Sequence, residues 1–135
     1  MASGMSASYA AGYFDGEGCV YIASHKKEYS LIVEIGNTRP EALFKIREVW
    51  GGSVREAHKR PNERRRWTWR ISAQSAQKFL EDIRPHIIGK SVEVWLALEF
   101  QAHRTRAHLR YPLTTEQLAL REGFKLALIQ YRKDN

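Results

Sequence analysis

Two acids interleaved with two glycines, Asp15-Gly16-Glu17-Gly18, close the run Tyr9-Ala-Ala-Gly-Tyr-Phe14 and lead directly into an alternating stretch from Cys19. Carboxylates are hard oxygen donors, and a pair of them meeting at one point can hold a divalent cation that assists phosphodiester cleavage. One Asp-x-Glu supplies such a pair only if a second copy is brought alongside. The residues upstream suggest how, because Ala7, Ala10 and Ala11 with Gly12 form a helix face on which another backbone can approach closely. If that partner is the same helix of a second chain, the two-fold axis brings both Glu17 carboxylates together, with Ala7, Ala10, Ala11 and Phe14 as the expected interface.

The elements that must position these acids follow from the flanking pattern. Ser6 to Phe14 contains no proline and predicts a short helix, with Gly16 and Gly18 providing the exit. Asp15 and Glu17 then sit at its carboxyl end, where the backbone dipole disfavours negative charge, so a cation is expected nearby. Cys19 to His25 alternates as a strand, with Val20 and Ile22 on one side and Cys19, Tyr21, Ala23 and His25 on the other. A turn at Lys26, Lys27 and Glu28 leads into Tyr29 to Asn37, where Leu31, Val33 and Ile35 oppose Ser30, Ile32, Glu34 and Gly36, so the pair reads as an antiparallel hairpin.

Thr38 with Glu41 forms a capping-box pattern that predicts a helix start, and Gly51-Gly52 ends that helix. Ser53 to Lys59 reads as a third strand with Val54 inward, and Arg64 to Ser72 as a fourth with Trp67, Trp69 and Ile71 on one face. Around this hairpin Lys59, Arg60, Arg64, Arg65, Arg66 and Arg70 form the densest basic cluster of the chain. A helix from Ser75 to Arg84 is ended by Pro85. Two further helices, Lys90 to about Arg104 and Thr115 to about Arg132, carry apolar positions at Val92, Trp95, Leu96 and Phe100 and at Leu118, Phe124, Leu128 and Tyr131. Trp50, Trp67, Trp69 and Trp95 are all expected in the core. The order αββαββα specifies an α+β fold, a four-stranded antiparallel sheet with helices on one face and the other face open.

Length and charge set outer bounds. The chain has 135 residues, enough to bury a core as one domain over 1–135, with 1–6 a disordered lead-in. Its 22 basic and 15 acidic residues leave a formal charge of +7, which points to a polyanionic partner. Cys19 is the sole cysteine, which excludes an intrachain disulfide and a multi-cysteine zinc site. The five histidines show no metal-ligand spacing. No stretch has the apolar length of a membrane span and Met1 to Met5 lacks the features of a secretion signal, so an intracellular protein, cytoplasmic or organellar and not secreted, is expected.

The stretch Ala10 to Gly18 resembles the motif of the LAGLIDADG homing endonucleases. Ala11, Gly12, Asp15 and Gly18 match the family name letter for letter, and Tyr13, Phe14, Gly16 and Glu17 are replacements of a kind the family accepts, with Ala10 in place of the leading leucine. The length and element order are similar to those of single-motif members, which act as homodimers. The resemblance implies a saddle-shaped sheet lying on double-stranded DNA and a site-specific cut at a long pseudo-palindromic target. It assigns metal binding, Mg²⁺ with Mn²⁺ as a substitute, to Glu17 together with Gly16, with Asp15 shaping the helix exit and assisting. Asn37 stands where the family places a polar residue that orders water, and Lys90 where it places an active-site lysine that stabilises phosphate charge. The open strand face, Tyr21, His25, Ser30, Ile32, Glu34, Arg55, Lys59, Arg64, Arg66, Thr68 and Arg70, is expected to contact DNA. Ala10, Gly36 and Asn37 depart from the commonest pattern. They leave open an alternative class, a LAGLIDADG-like intron maturase or DNA-binding regulator without cleavage.

Overall fold

The computed structural model describes residues 4–57, 61, 64–107 and 113–134, with the backbone alone for 105–107. Helix α1 (Ala7–Glu17) opens it, with the Ser6 hydroxyl as its N-cap accepting from the Tyr9 amide at 3.1 Å. Strands β1 (Gly18–His25) and β2 (Glu28–Asn37) follow, then α2 (Glu41–Trp50), β3 (Ser53–Glu56), β4 (Trp67–Ser72) and α3 (Ala73–Ile83). A 3₁₀ turn at Arg84–His86 holds Pro85, and α4 (Ser91–Ala107) and α5 (Thr115–Asp134) complete the order. The strands form one sheet in the order β1-β2-β4-β3, every neighbouring pair antiparallel.

The alternation predicted from sequence sets which face is buried. Val20, Ile22, Leu31, Val33, Ile35, Trp69 and Ile71 join the apolar side chains of the helices in one core, and their odd-numbered or even-numbered neighbours face the other way. Phe79 of α3 is the hub, with ring centroids 6.0 Å from Phe14, 5.1 Å from Trp50 and 5.0 Å from Trp69, all edge-on. Contacts of this geometry each add about 0.5–1.5 kcal/mol beyond area burial. They fix the last turn of α1 over the sheet, and that turn carries the acids.

Two glycines are required by space. A Cβ on Gly18 would lie 2.2 Å from Phe14 Cδ1 and 2.7 Å from the Phe14 carbonyl oxygen, so the chain can leave α1 for β1 this tightly only without a side chain. Gly52 combines a φ of 94° with a Cβ position 2.2 Å from Ile71 Cγ2, which is why the Gly51-Gly52 stop works as expected.

The hairpin turn is shorter than the sequence suggested. His25 pairs with Glu28, leaving Lys26 and Lys27 as a two-residue loop with φ of 49° and 68°. Both values belong to the mirror-image turn that matches strand twist, usually built from Asn-Gly. With side chains present, each left-handed residue costs about 1–2 kcal/mol. The arm is braced from behind. The Tyr29 hydroxyl donates to Glu122 at 2.7 Å, Arg104 Nε donates to the Tyr29 carbonyl at 2.9 Å, and Lys125 Nζ donates to Ser24 Oγ at 2.7 Å.

Several boundaries differ for identifiable reasons. Helix α1 runs to Glu17 rather than stopping at Phe14, because the Gly18 amide still closes a helical bond to the Phe14 carbonyl. The capping box does not form: α2 starts at Glu41 behind Pro40 with no side-chain cap, and the Arg39 amide is taken by Asn37 Oδ1 at 3.2 Å. β3 ends at Glu56 and β4 starts at Trp67, so Arg64, Arg65 and Arg66 precede the strand. Helix α3 begins at Ala73, whose φ of 53° is the cost of turning at once from β4. Phe100 is buried and Leu96 packs on the core as expected, but Trp95 is 49% and Val92 39% exposed while Val94 and Ala97 are buried, so the core-facing side of α4 is shifted from the one expected.

Candidate active site

The two acids at the end of α1 have different surroundings. Asp15 is half-buried and both its oxygens are engaged, Oδ2 by the Ile88 amide at 2.8 Å and Oδ1 by the Lys90 amide at 2.9 Å. Lys90 answers with its side chain, Nζ donating to the Asp15 carbonyl at 2.6 Å. Helix α1 ends with orphan carbonyls that favour a cation, and the amides ahead of α4 favour an anion. Asp15 and Lys90 satisfy both ends at once. Lys90 thus brings a cation to the end of α1 through the Asp15 carbonyl, not through either carboxylate.

Glu17 is exposed, and no hydrogen bond or ion pair engages its carboxylate among the described residues. At 3.6 residues per turn the two acids lie about 200° apart around the axis. On the Glu17 side, Asn37 Nδ2 donates to the Tyr13 hydroxyl at 2.6 Å, while Asn37 Oδ1 accepts from the Arg39 amide and, at 3.4 Å, from Thr38 Oγ1. Burial holds the Tyr13 hydroxyl above its ordinary pKa; the Asn37 bond opposes this and the Glu17 charge adds to it. Tyr9, Tyr13, Asn37, Arg39 and Lys45 line a groove of about 900 Å³ along this flank of α1. Tyr9 and Tyr13 stand in the motif stretch, but the sequence assigns neither a role in the site. Their aromatic type within an otherwise small-residue helix was the available signal.

The interface expected on α1 needs correction. Ala10, Ala11 and Phe14 are 0% exposed and belong to the protomer's own core, so they cannot meet a second chain. Ala7 is half-buried. The bare ridge is Ser8, Tyr9, Gly12 and Gly16, and a Cβ added at Gly12 or Gly16 would find no described atom within 4 Å.

The open sheet face gathers the expected DNA-contacting residues by register. Cys19, Glu34, Arg70 and Ser53 make one row across the four strands; Gly36, Thr68 and Arg55 make a second; Tyr21, Ile32 and Ser72 a third. Ser30 pairs with Ala23 farther out, and His25 ends the strand, exposed. Ile32 lies on this face but is only 7% exposed, so it is screened by its neighbours, and direct contact through it is not available in this arrangement. Arg66 lies over Gly36, where an added Cβ would sit 2.8 Å from Nη2. Gly36 therefore makes room for an arginine. Arg55 and Arg64 are exposed, Arg65 pairs with Glu56 at 3.2 Å, and Lys59 and Arg60 fall outside the described residues.

Arg70 is the most constrained of these. Its Nη2 donates to the Tyr21 hydroxyl at 2.8 Å, its Nε stands 3.8 Å from Glu34 Oε1, and the Tyr21 hydroxyl donates to that same oxygen. Burial and then the bond to Glu34 raise the Tyr21 pKa. Cys19, half-exposed at the head of this row, has its thiol pKa raised by burial above all, so it stays protonated at neutral pH.

Among the described residues, no group of three or more His, Cys, Asp or Glu comes together. No helix there is long and apolar enough to cross a membrane.

Known proteins give the geometry its context. No curated protein matches the chain. The solved structure of the homing endonuclease I-TnaI is similar over 93% of this chain and 88% of its own, at 22% identity and a TM-score of 0.76. The archaeal intron-encoded homing endonuclease I-Vdi141I, solved with DNA, is similar over 92% and 82%, at 17% identity and a TM-score of 0.74. The homing endonuclease I-CvuI, solved with its target and Ca²⁺, covers 76% and 69% at 21% identity, with a TM-score of 0.62. These likenesses establish the fold. The sequence pattern described as the LAGLIDADG-like domain matches residues 5–84, from the N-cap region of α1 through the end of α3, and on that match the chain belongs to the LAGLIDADG-like domain family.

Proposed function

We propose that the chain is a homodimeric, site-specific double-strand DNA endonuclease that uses divalent metal, Mg²⁺ or Mn²⁺, and acts inside the cell. The observation that carries this reading is the exposed, unengaged Glu17 at the end of a helix whose outer ridge is bare at Gly12 and Gly16. Two such ridges crossing at a two-fold axis would bring the Glu17 carboxylates together between two open, basic sheet faces. I-CvuI and I-Vdi141I, which share the fold, were both solved with DNA.

The donor set fits a hard divalent ion. Mg²⁺ is held by one or two carboxylates together with substrate phosphates and water, so one Glu17 from each protomer, with the Gly16 carbonyl nearby, would suffice. Bound there, the ion supplies Lewis-acid stabilisation of phosphate charge and an acidified water. The chain's own residues do the rest. Asp15 and Lys90 lock the last turn of α1 to the start of α4 and so fix where Glu17 stands. Asn37 holds Tyr13 against the groove beside it. Arg55, Arg64, Arg66, Thr68 and Arg70 with Tyr21, Ser30 and His25 contact each half of the target.

The test is a selection for cut sites. A plasmid library with a randomised insert should yield a two-fold consensus cut in Mg²⁺ by the wild-type protein and spared by Glu17→Gln. Equal cutting by both proteins, or none by either with Mg²⁺ or Mn²⁺, overturns the reading.

A further inference from the structure

An arginine on a DNA-facing sheet can neutralise a phosphate or read a base, and its surroundings decide which. A phosphate contact needs only charge, whereas base reading needs a guanidinium held at a fixed angle, because guanine offers two acceptors, O6 and N7, to a planar fork. Arg70 is held in that way. Its Nε and Nη2, one edge of the fork, face Glu34 and the Tyr21 hydroxyl, and Tyr21 in turn donates to Glu34. The other edge, Nη1 with the second hydrogen of Nη2, has no protein partner among the described residues, and the side chain is 51% exposed.

The carboxylate also argues against a phosphate role. Glu34 beside the guanidinium cancels much of its attraction for an anion and repels a phosphate directly. Arg55, Arg64 and Arg66 have no carboxylate partner among the described residues and keep their full charge for the backbone. Tying down a long side chain before binding removes the rotamer entropy that a base contact would otherwise have to overcome.

Resting on the endonuclease reading, we propose that Arg70, aimed by Glu34 and Tyr21, reads one guanine in each half of the target. Its row begins at Cys19, two residues beyond Glu17, so the guanine lies in the inner part of the half-site, close to the cut. Arg70 is a specificity residue; Glu34 and Tyr21 are positioning residues.

The experiment is a binding selection from a randomised duplex library in Ca²⁺, run with wild type, Arg70→Leu, Arg70→Lys and Glu34→Gln, each checked for an unchanged circular dichroism spectrum. Wild type should return a guanine at one inner position of each half. Arg70→Leu and Arg70→Lys should both lose that preference, by roughly ten- to a hundredfold, while the other positions keep theirs. Lysine retains charge but not the fork, so its failure separates base reading from charge. Glu34→Gln should relax the same position by a smaller factor and bind unrelated duplexes more tightly. The inference is overturned if Arg70→Leu weakens every sequence alike, or if Arg70→Lys keeps the guanine. A wild-type protein that enriches no sequence would instead overturn the endonuclease reading itself, and this inference with it.

Discussion

The last turn of α1 has two sides that began as the same chemistry. On one, the Asp15 carboxylate is tied to two backbone amides and Lys90 is tied to the Asp15 carbonyl. On the other, Glu17 projects into solvent without a partner among the described residues. A carboxylate with both oxygens occupied organises structure, and one left open can do chemistry. Placing the two side by side explains how a free acid can be held at the unfavourable end of a helix dipole. The bonded side anchors the turn, and the open side leaves its carboxylate lone pairs unengaged, as the proposed function requires.

The sharpest way to break this division is at the open acid. Glu17→Gln should reduce cleavage at least about a hundredfold, since even partners of metal ligands cost 10–100-fold when altered. Thermal unfolding should move little, because an exposed substitution away from bonded features changes stability by less than about 0.5 kcal/mol. A large fall in melting temperature would show that Glu17 is structural after all.

Asp15→Asn should behave in the opposite sense. Two charge-assisted bonds from backbone amides weaken, and stability should fall by about 1–3 kcal/mol, or several degrees in Tm for a chain of this size. Cleavage per folded molecule should fall much less than in Glu17→Gln. If Asp15→Asn leaves Tm unchanged and abolishes cutting, the two sides are not divided as described.

These differences also mark what could be recovered from sequence. The sheet was legible because alternation at Val20, Ile22, Leu31, Val33, Ile35, Trp69 and Ile71 is a local, period-two signal, and a one-residue slip would have exposed all of it. The Asp15–Lys90 clasp joins residues 75 apart in sequence, and nothing local to either names the other. The core-facing side of α1 is not legible for a specific reason. Small residues occur on both its faces, Ala10 and Ala11 inward against Phe79's neighbours, Gly12 and Gly16 outward, and composition alone does not say which set the core claims. In α4 the same ambiguity came from apolar residues on two faces, and Trp95 fell on the outer one. Tyr21, Glu34 and Arg70 were each placed on the open face, but their mutual bonding depends on strand register.

The corrected phase of α1 makes a prediction of its own. Gly12→Leu places a side chain where nothing described lies within 4 Å and replaces the weakest helix former after proline, so the monomer should gain up to about 1 kcal/mol. If the bare ridge is where two copies cross, the dimer should weaken at least tenfold in sedimentation, about 1.4 kcal/mol of association free energy. Dimerisation unaffected by Gly12→Leu would place the two-fold axis elsewhere.

The smallest expected effect tests the groove flank. Tyr13 is raised in pKa by burial chiefly and by the Glu17 charge, against the lowering pull of Asn37. A raised folded-state value means the native form binds its proton more tightly than the unfolded chain. Stability from this source is therefore complete below the unfolded value of about 10 and is lost as pH rises through the folded one. Tyr21 and Tyr29 are raised as well, Tyr29 chiefly by its bond to Glu122, so wild-type stability should decline above about pH 10. Tyr13→Phe should make that alkaline decline shallower while removing the bond from Asn37, a loss of about 1 kcal/mol at neutral pH. Glu17→Gln should also lower the Tyr13 value, because it removes the charge that helps raise it. If spectrophotometric titration of tyrosine is identical in Glu17→Gln and wild type, Tyr13 and Glu17 do not sense one another, and the open side of the turn ends at the acid itself.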